Sequence, residues 1–228
     1  MKRYIIIVAG GKGERMKSTT PKQFIKVNGL PLMMHTIRLF YEFDNTAEII
    51  VVLPGQHFKL WKELCLETAF IIPHQLAEGG PARFHSVKSG LKLVKDDKAL
   101  VAIHDAVRPF VKKEVIDRVF KDAEFYGNAI PGIFVNESVR ENSGAGNRTV
   151  DRSKLVLIQT PQCFKANILL KAYLQNYREE FTDDASVVES DGAQIHLVSG
   201  NPENIKITTQ SDLRIAEALL SNYSQNQD

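Results

Sequence analysis

Cysteine is scarce in this chain. Cys65 and Cys163 are the only two in 228 residues, they lie far apart, and neither has metal-ligand spacing around it. That excludes a disulfide framework and a cysteine-based metal centre, and it fits ordinary packing roles in a reducing cytosol. A strong charge of one sign is missing too. The formal net charge is +2 and the lysines and arginines are spread out, which argues against a dedicated nucleic-acid binder. Long apolar runs are also missing. The start, MKRYIIIVAGG, has basic residues ahead of an apolar stretch, but that stretch ends after five residues. A signal-peptide core needs roughly 7 to 15, and a membrane helix about 20. The expectation is a cytoplasmic protein with no nucleic-acid or membrane partner.

Two familiar glycine loops are lacking as well. A Rossmann fingerprint would need glycine where Met16 stands and an acidic residue closing the second strand, but the run at 49–53 leads into Pro54-Gly55-Gln56. A P-loop, GxxxxGK followed by Ser or Thr, occurs nowhere. A dehydrogenase and a P-loop NTPase are therefore disfavoured.

What the chain does have is the run Ile5-Ile6-Ile7-Val8-Ala9, stopped by Gly10-Gly11-Lys12-Gly13 and followed by Arg15 and Pro21-Lys22. The run has the length and β-branching of a strand buried on both faces, and open α/β sheets bind ligands where such strands end. Three glycines let the backbone come close to a ligand and offer it bare N–H groups, which suit phosphate oxygens. Arg15 adds a planar charged fork and Lys22 a mobile point charge. Phosphoryl or nucleotidyl transfer is indicated, although a GGxG turn alone also suits a plain strand-to-helix bend with solvated basic residues.

Read in order, the chain alternates strands and helices. Residues 23–27 form a short extended piece before a turn at Asn28-Gly29, and Pro31 opens a helix carrying Met33, Met34, Ile37, Phe40 and Tyr41. Strands are expected at 48–53, 69–72 and 99–103, with helices at 57–68, 86–94 and 113–126. This βα alternation predicts a mostly parallel twisted sheet with helices on both faces, Rossmann-like, in one domain spanning 1–228. The pattern breaks after 129–135. Residues 136–152, NESVRENSGAGNRTVDR, are polar with a glycine-rich centre and read as a protruding β-hairpin arm. The body resumes with Thr160-Pro161-Gln162, helices at 166–176, 185–189 and 211–220, and strands at 194–199 and 204–208. Ser211 is the expected cap of the last helix, which should bury Leu213, Ile215, Ala216, Leu219 and Leu220. The polar tail 222–228 is expected to be disordered.

Four stretches fall at strand ends or on loops: GGKGERM with PKQ, GGPAR with Ser86, HDAVRP, and NIKIT. They supply backbone donors, cations for a five-coordinate phosphorus and a carboxylate near metal or sugar. With TVDR, TPQ and TDDAS in the same order, they resemble the cytidylyltransferases of the nucleotide-diphospho-sugar transferase class. Within that class the resemblance is to the methylerythritol-phosphate cytidylyltransferase family, and it spans essentially the whole chain. It implies the fold of that class and transfer of CMP from CTP to a polyol phosphate with Mg2+ or another divalent cation. Arg15, Lys22, Arg152 and Lys206 would be the catalytic cations, the first two on the triphosphate and the last two on the acceptor phosphate. Ala9, Gly10, Gly80 and Ser86 would meet the cytidine, with Gly11, Gly13 and Arg83 in the same binding set. Asp105, Arg108 and Thr160 would line the acceptor site, Asp105 near ribose and metal, and Ala106 and Ser138 complete the substrate-binding set; the metal's ligands stay unassigned. The resemblance further implies a homodimer embraced by the hairpin arm, with Arg152 serving the neighbouring subunit.

The chain departs from the family at Pro81, where an acidic residue is common, at Ser138, commonly threonine, and at Gly10, commonly alanine. None of these removes a charge the reaction needs. Ribitol-5-phosphate cytidylyltransferase shares the AGG loop, PKQF and HDAVRPF, and a catalytically idle nucleotide-binding regulator on the same fold is the rival of another class. Asp183-Asp184 reads as a helix cap, and His104 as a structural residue.

Overall fold

The computed structural model describes residues 1–10 and 20–225. The opening apolar run is strand β1 (Arg3–Val8), with Tyr4, Ile5, Ile6 and Ile7 wholly buried. After one 3-10 turn at Lys22–Phe24, a two-residue hairpin joins β2 (Lys26–Val27) to β3 (Leu30–Pro31). Its tip, Asn28-Gly29, has φ of 48° and 81°, the left-handed pair that tight hairpins require. Pro31 precedes α1 (Leu32–Phe43), followed by β4 (Glu48–Leu53) and α2 (Phe58–Glu67).

The apolar stretch at 69–72 does not form the expected strand. Ala69 takes φ 49°, and the bonds from Ala69 N–H to the Leu66 carbonyl and from Phe70 N–H to the Cys65 carbonyl close α2 as a Schellman motif. Ile71 is left in solvent, 89% exposed. The strand is the less apolar β5 (Gln75–Glu78), paired along β4. Next come α3 (Arg83–Leu91), β6 (Leu100–Asp105) and α4 (Lys113–Tyr126), the last closed by Gly127 at φ 92°.

These strands lie in the order β5-β4-β1-β6, all parallel. The chain winds outward from β1 to β5, then returns to the other side of β1, so the two windings part between β1 and β6, where Val8 lies beside Asp105. Ligands of open α/β sheets bind at such a switch point, beyond the strands' carboxyl ends. Ile5 and Ile7 pack with α1, α2 and α4 on one face, Tyr4 and Ile6 with α3 on the other. Helices thus cover both faces.

Beyond α4 the sheet turns mixed. β7 (Asn128–Phe134) leads to the arm, β8 (Val139–Asn142) paired antiparallel with β9 (Asn147–Val150). Two strands that the sequence pattern did not signal follow, β10 (Val156–Ile158) and β11 (Gln162–Lys165). β11 runs antiparallel between β6 and β7; its Cys163 and Phe164, adjacent in sequence, are both wholly buried, which erases the alternation a reader would look for. Then come α5 (Ala166–Ala172), shorter than expected, α6 (Asp184–Ser190), β12 (Leu197–Ser199) against β7, and α7 (Gln210–Gln225). Among the described residues this completes an eight-stranded sheet.

Residues 204–208 form no strand. They are a strap tied by the Ile207 N–H to the Val107 carbonyl, with Ile207 buried among Val27, Leu32 and Phe110. Ser211 is not the cap of α7 either. Thr209 is: its hydroxyl accepts from Asp212 N–H while Asp212 accepts from Thr209 N–H, a reciprocal capping box. That shift of frame leaves Ile215 49% exposed, whereas Leu213 and Ala216 are buried. The helix continues through Gln225, so the expected disordered tail is helical to that point, and 226–228 lie outside the described residues. No helix among the described residues is long and apolar enough to cross a membrane.

Candidate active site

A cleft of about 550 Å³ opens at the switch point, walled by the ends of β1 and β6, the start of α3, the Lys22 turn and the strap. One wall is backbone. The Ala9 N–H bonds to Val52, and Gln23 Nε2 holds the Ala9 carbonyl at 3.0 Å. Ser86 Oγ accepts the Gly80 N–H at 3.1 Å and donates to the Ala82 carbonyl. A Cβ on Gly80 would stand 2.4 Å from His85 Cβ, which leaves no room for a side chain there, whereas one on Gly10 would only press on Ser86 Oγ at 3.2 Å. Ala9, Gly10, Gly80 and Ser86 are thus brought together, and Ala106 joins the lining. Gly11, Gly13 and Arg15 lie outside the described residues.

The other wall is electrostatic and centres on Asp105. Its Oδ2 receives Lys206 Nζ and Arg108 Nε, each at 3.1 Å, and its Oδ1 faces Arg83 Nε at 3.9 Å. Burial opposes its charge, but Lys206, Arg83 and Arg108 together hold the carboxyl well below the usual carboxylate range. Lys206, with 40% of its side chain exposed, and Lys22 both line the cleft. Thr160 and Arg108 do not line it. They lie behind Asp105, the Thr160 hydroxyl receiving the Asp105 N–H at 3.1 Å and Arg108 donating to the Asn204 carbonyl at 2.6 Å. His104 beside them is wholly buried, and burial pushes its imidazole down to about 4, which favours the neutral ring.

Arg83 owes its place to a residue the sequence reading assigned elsewhere. Asp183 is indeed the cap of α6, in a capping box with Ser186. Asp184, though, is wholly buried; it accepts from Arg83 Nη2 and from the Tyr173 hydroxyl, both at 2.6 Å. Burial alone would lower the Arg83 pKa, but Asp184 and then Asp105 raise it above its ordinary value. Only the odd spacing of two adjacent acids, one of which had to point inward from a short helix, could have hinted at this.

Two further assigned residues are not brought near this cleft. Ser138 and Arg152 are exposed, at either end of the arm, and the Arg152 guanidinium donates to the Asn136 carbonyl of the same arm. The cysteines stay out of the chemistry, burial pushing the Cys65 thiol up to about 11 and Cys163 higher still. Among the described residues no three metal-type side chains cluster. Asp105 is the carboxylate of the cleft lining, and one carboxylate suffices for magnesium, which takes one or two and lets substrate phosphates complete its shell.

The doubly wound sheet with a cleft at its switch point is an α/β nucleotidyltransferase-like fold. The family described as IspD: 2-C-methyl-D-erythritol 4-phosphate cytidylyltransferase matches residues 4–222, and the chain belongs to it. A relative of that name from Bacteroides thetaiotaomicron is 51% identical over 96% of this chain and 100% of its own length. One from Bacillus licheniformis is 36% identical, covering 98% and 97%. Among solved structures, 2-C-methyl-D-erythritol 4-phosphate cytidylyltransferase from Thermus thermophilus superposes with a TM-score of 0.78 at 30% identity, over 96% of this chain and 98% of that one. The chain is therefore an enzyme of isoprenoid biosynthesis that transfers a cytidylyl group to methylerythritol phosphate.

Proposed function

We propose that the cleft holds CTP along its backbone wall and the acceptor along its Asp105 wall, so that an acceptor phosphate oxygen attacks the α-phosphorus in line. The new P–O bond forms as the bond to the β-phosphate's bridging oxygen breaks, and pyrophosphate leaves with that electron pair. No covalent enzyme intermediate is needed. The supporting observation is the convergence of Lys22, Lys206 and Asp105 on one cleft beside Gly10 and Gly80.

Ala9, Gly10, Gly80 and Ser86 hold the cytidine. Lys22, with Arg15, neutralises the triphosphate and the charge that builds as pyrophosphate departs. Lys206 holds the acceptor phosphate from its side, and Asp105 meets the sugar hydroxyls, with Arg83 and Arg108 fixing the carboxylate. A divalent cation, magnesium by its chemistry, would sit at Asp105 with the triphosphate and would supply further charge neutralisation.

The enzyme acts as a homodimer in which the arm of one subunit carries Arg152 and Ser138 to the acceptor phosphate of the other. The support is that a phosphomonoester with nearly two negative charges calls for an Arg fork beside a Lys, while Arg152 stands in solvent on a projecting arm.

Pyrophosphate release, measured for methylerythritol phosphate and ribitol phosphate with each of the four common nucleotides, tests the substrate pair. CTP with methylerythritol phosphate should dominate. A preference for ribitol phosphate overturns the acceptor, and no release with any polyol phosphate favours the idle regulator. Mixing Arg152→Ala with Lys22→Ala protein tests the shared site: activity should return on subunit exchange, and none after exchange is verified sinks it.

A further inference from the structure

His104, next to last in β6, does not line the cleft; it is wholly buried, its ring edge-on to Phe40 at a centroid distance of 4.8 Å. Its two ring nitrogens both have partners. Nε2 lies 2.9 Å from the Arg108 carbonyl oxygen and Nδ1 3.0 Å from Thr160 Oγ1. A carbonyl can only accept, so Nε2 carries the ring proton, Nδ1 of the neutral imidazole is an acceptor, and the Thr160 hydroxyl must donate to it. The Thr160 oxygen is thereby turned to receive the Asp105 N–H, 3.1 Å away. Each proton has one place to go.

Asn204, also wholly buried, ties the same two residues by their other ends. Its Nδ2 donates to the Thr160 carbonyl at 2.8 Å, and its own carbonyl accepts from Arg108 Nη1 at 2.6 Å. Its Oδ1 has no partner. A buried acceptor left unpaired costs stability, so packing alone does not account for an asparagine here. His104 thus grips the Thr160 side chain and the Arg108 backbone, and Asn204 grips the Thr160 backbone and the Arg108 side chain.

We propose that His104 and Asn204 are positioning residues that cross-brace Thr160 and Arg108, and through them fix the amide and the carboxylate of Asp105 in the cleft. The inference rests on Asp105 meeting the acceptor, as proposed above. The brace forms no hydrogen bond to Ala9, Gly10, Gly80 or Ser86. Loosening it should therefore act on the acceptor and on the ion that Asp105 would hold, and leave the cytidine contacts in place.

Steady-state kinetics of His104→Phe, Thr160→Val and the double variant test this. With magnesium saturating, each single change should raise KM for methylerythritol phosphate about tenfold and KM for CTP by a clearly smaller factor, and the double should be no worse than the poorer single. His104→Gln, which keeps a donor and an acceptor, should recover most of the loss. Effects that multiply in the double, or that move both KM values together as general loosening would, overturn the proposal. Asp105→Asn is the reference: if it leaves acceptor KM unchanged, the reading of Asp105 has failed, and the brace is then decided by the proton positions. Nitrogen NMR of the wild-type enzyme at neutral pH reads those, and also serves if His104→Phe does not fold. The Nε2–H tautomer is expected at His104, and Nδ1–H would refute the brace.

Discussion

Arg83 and Arg152 both belong to the set of residues proposed to handle substrate, yet their surroundings have little in common. Arg83 has a quarter of its side chain exposed and sits between the carboxylates of Asp184 and Asp105, at the end of the sheet's parallel strands, whose two faces the helices bury. Arg152 stands in solvent at the foot of a two-stranded arm, bonded to a carbonyl of its own arm. A charge in the first setting is aimed by its own chain. A charge in the second can be aimed only by whatever the arm lies against, and that is the physical case for a second subunit. The contrast also separates the energetics: polar contacts at the cleft are desolvated and costly to break, while those on the arm are screened.

The largest effect expected from this contrast is on stability. Asp184→Ala removes the partner of a mostly buried guanidinium and strands the Tyr173 hydroxyl. Breaking a buried pair in this way costs about 3 to 5 kcal/mol, and the partial exposure of Arg83 places this case near 3. Urea unfolding would measure it. A loss below about 1 kcal/mol would mean that Arg83 is as replaceable as a surface residue, and the distinction between the two regions would collapse.

Next in size is a loss of rate. Lys22→Ala takes one cation from the cleft, and by comparison with removing a single transition-state stabiliser it should lower turnover on the order of a hundredfold or more. Near-normal turnover would remove Lys22 from the chemistry.

The same division governs what the sequence revealed. Strand 48–53 and helix 113–126 were legible to the residue, because each is long and its burial pattern matches its period. The cleft loops stood out because Gly10, Gly80, Asp105 and Lys206 are residue types that phosphoryl transfer calls for, and all four line one cleft. Other features depend on partners distant in sequence. At 69–72 a left-handed Ala69 overrode the β propensity of Phe70-Ile71-Ile72, and the ladder passed to Gln75–Glu78. The strap at 204–208 has the alternation of a strand but finds Val107 and Asp105 in place of a ladder partner. Asp184 meets Arg83 across 101 positions, and Thr160 meets Asp105 across 55, separations that no local pattern reports.

The smallest effect expected is on the arm, and it closes the comparison from the other side. Glu141 and Arg148 face each other across β8 and β9 as an ion pair whose side chains are 52% and 79% exposed. Water screens such a pair and two long side chains lose freedom in making it, so Glu141→Gln should cost no more than about 0.5 kcal/mol. The hairpin has its backbone ladder and the Gly144 tip, at φ 79°, to hold its shape without the charge. Unfolding should therefore be unchanged within that margin at low and high salt alike. A loss of 2 kcal/mol or more, using the same assay as for Asp184→Ala, would show that this pair is desolvated in solution, and hence that the arm is covered along its length and not only at its foot.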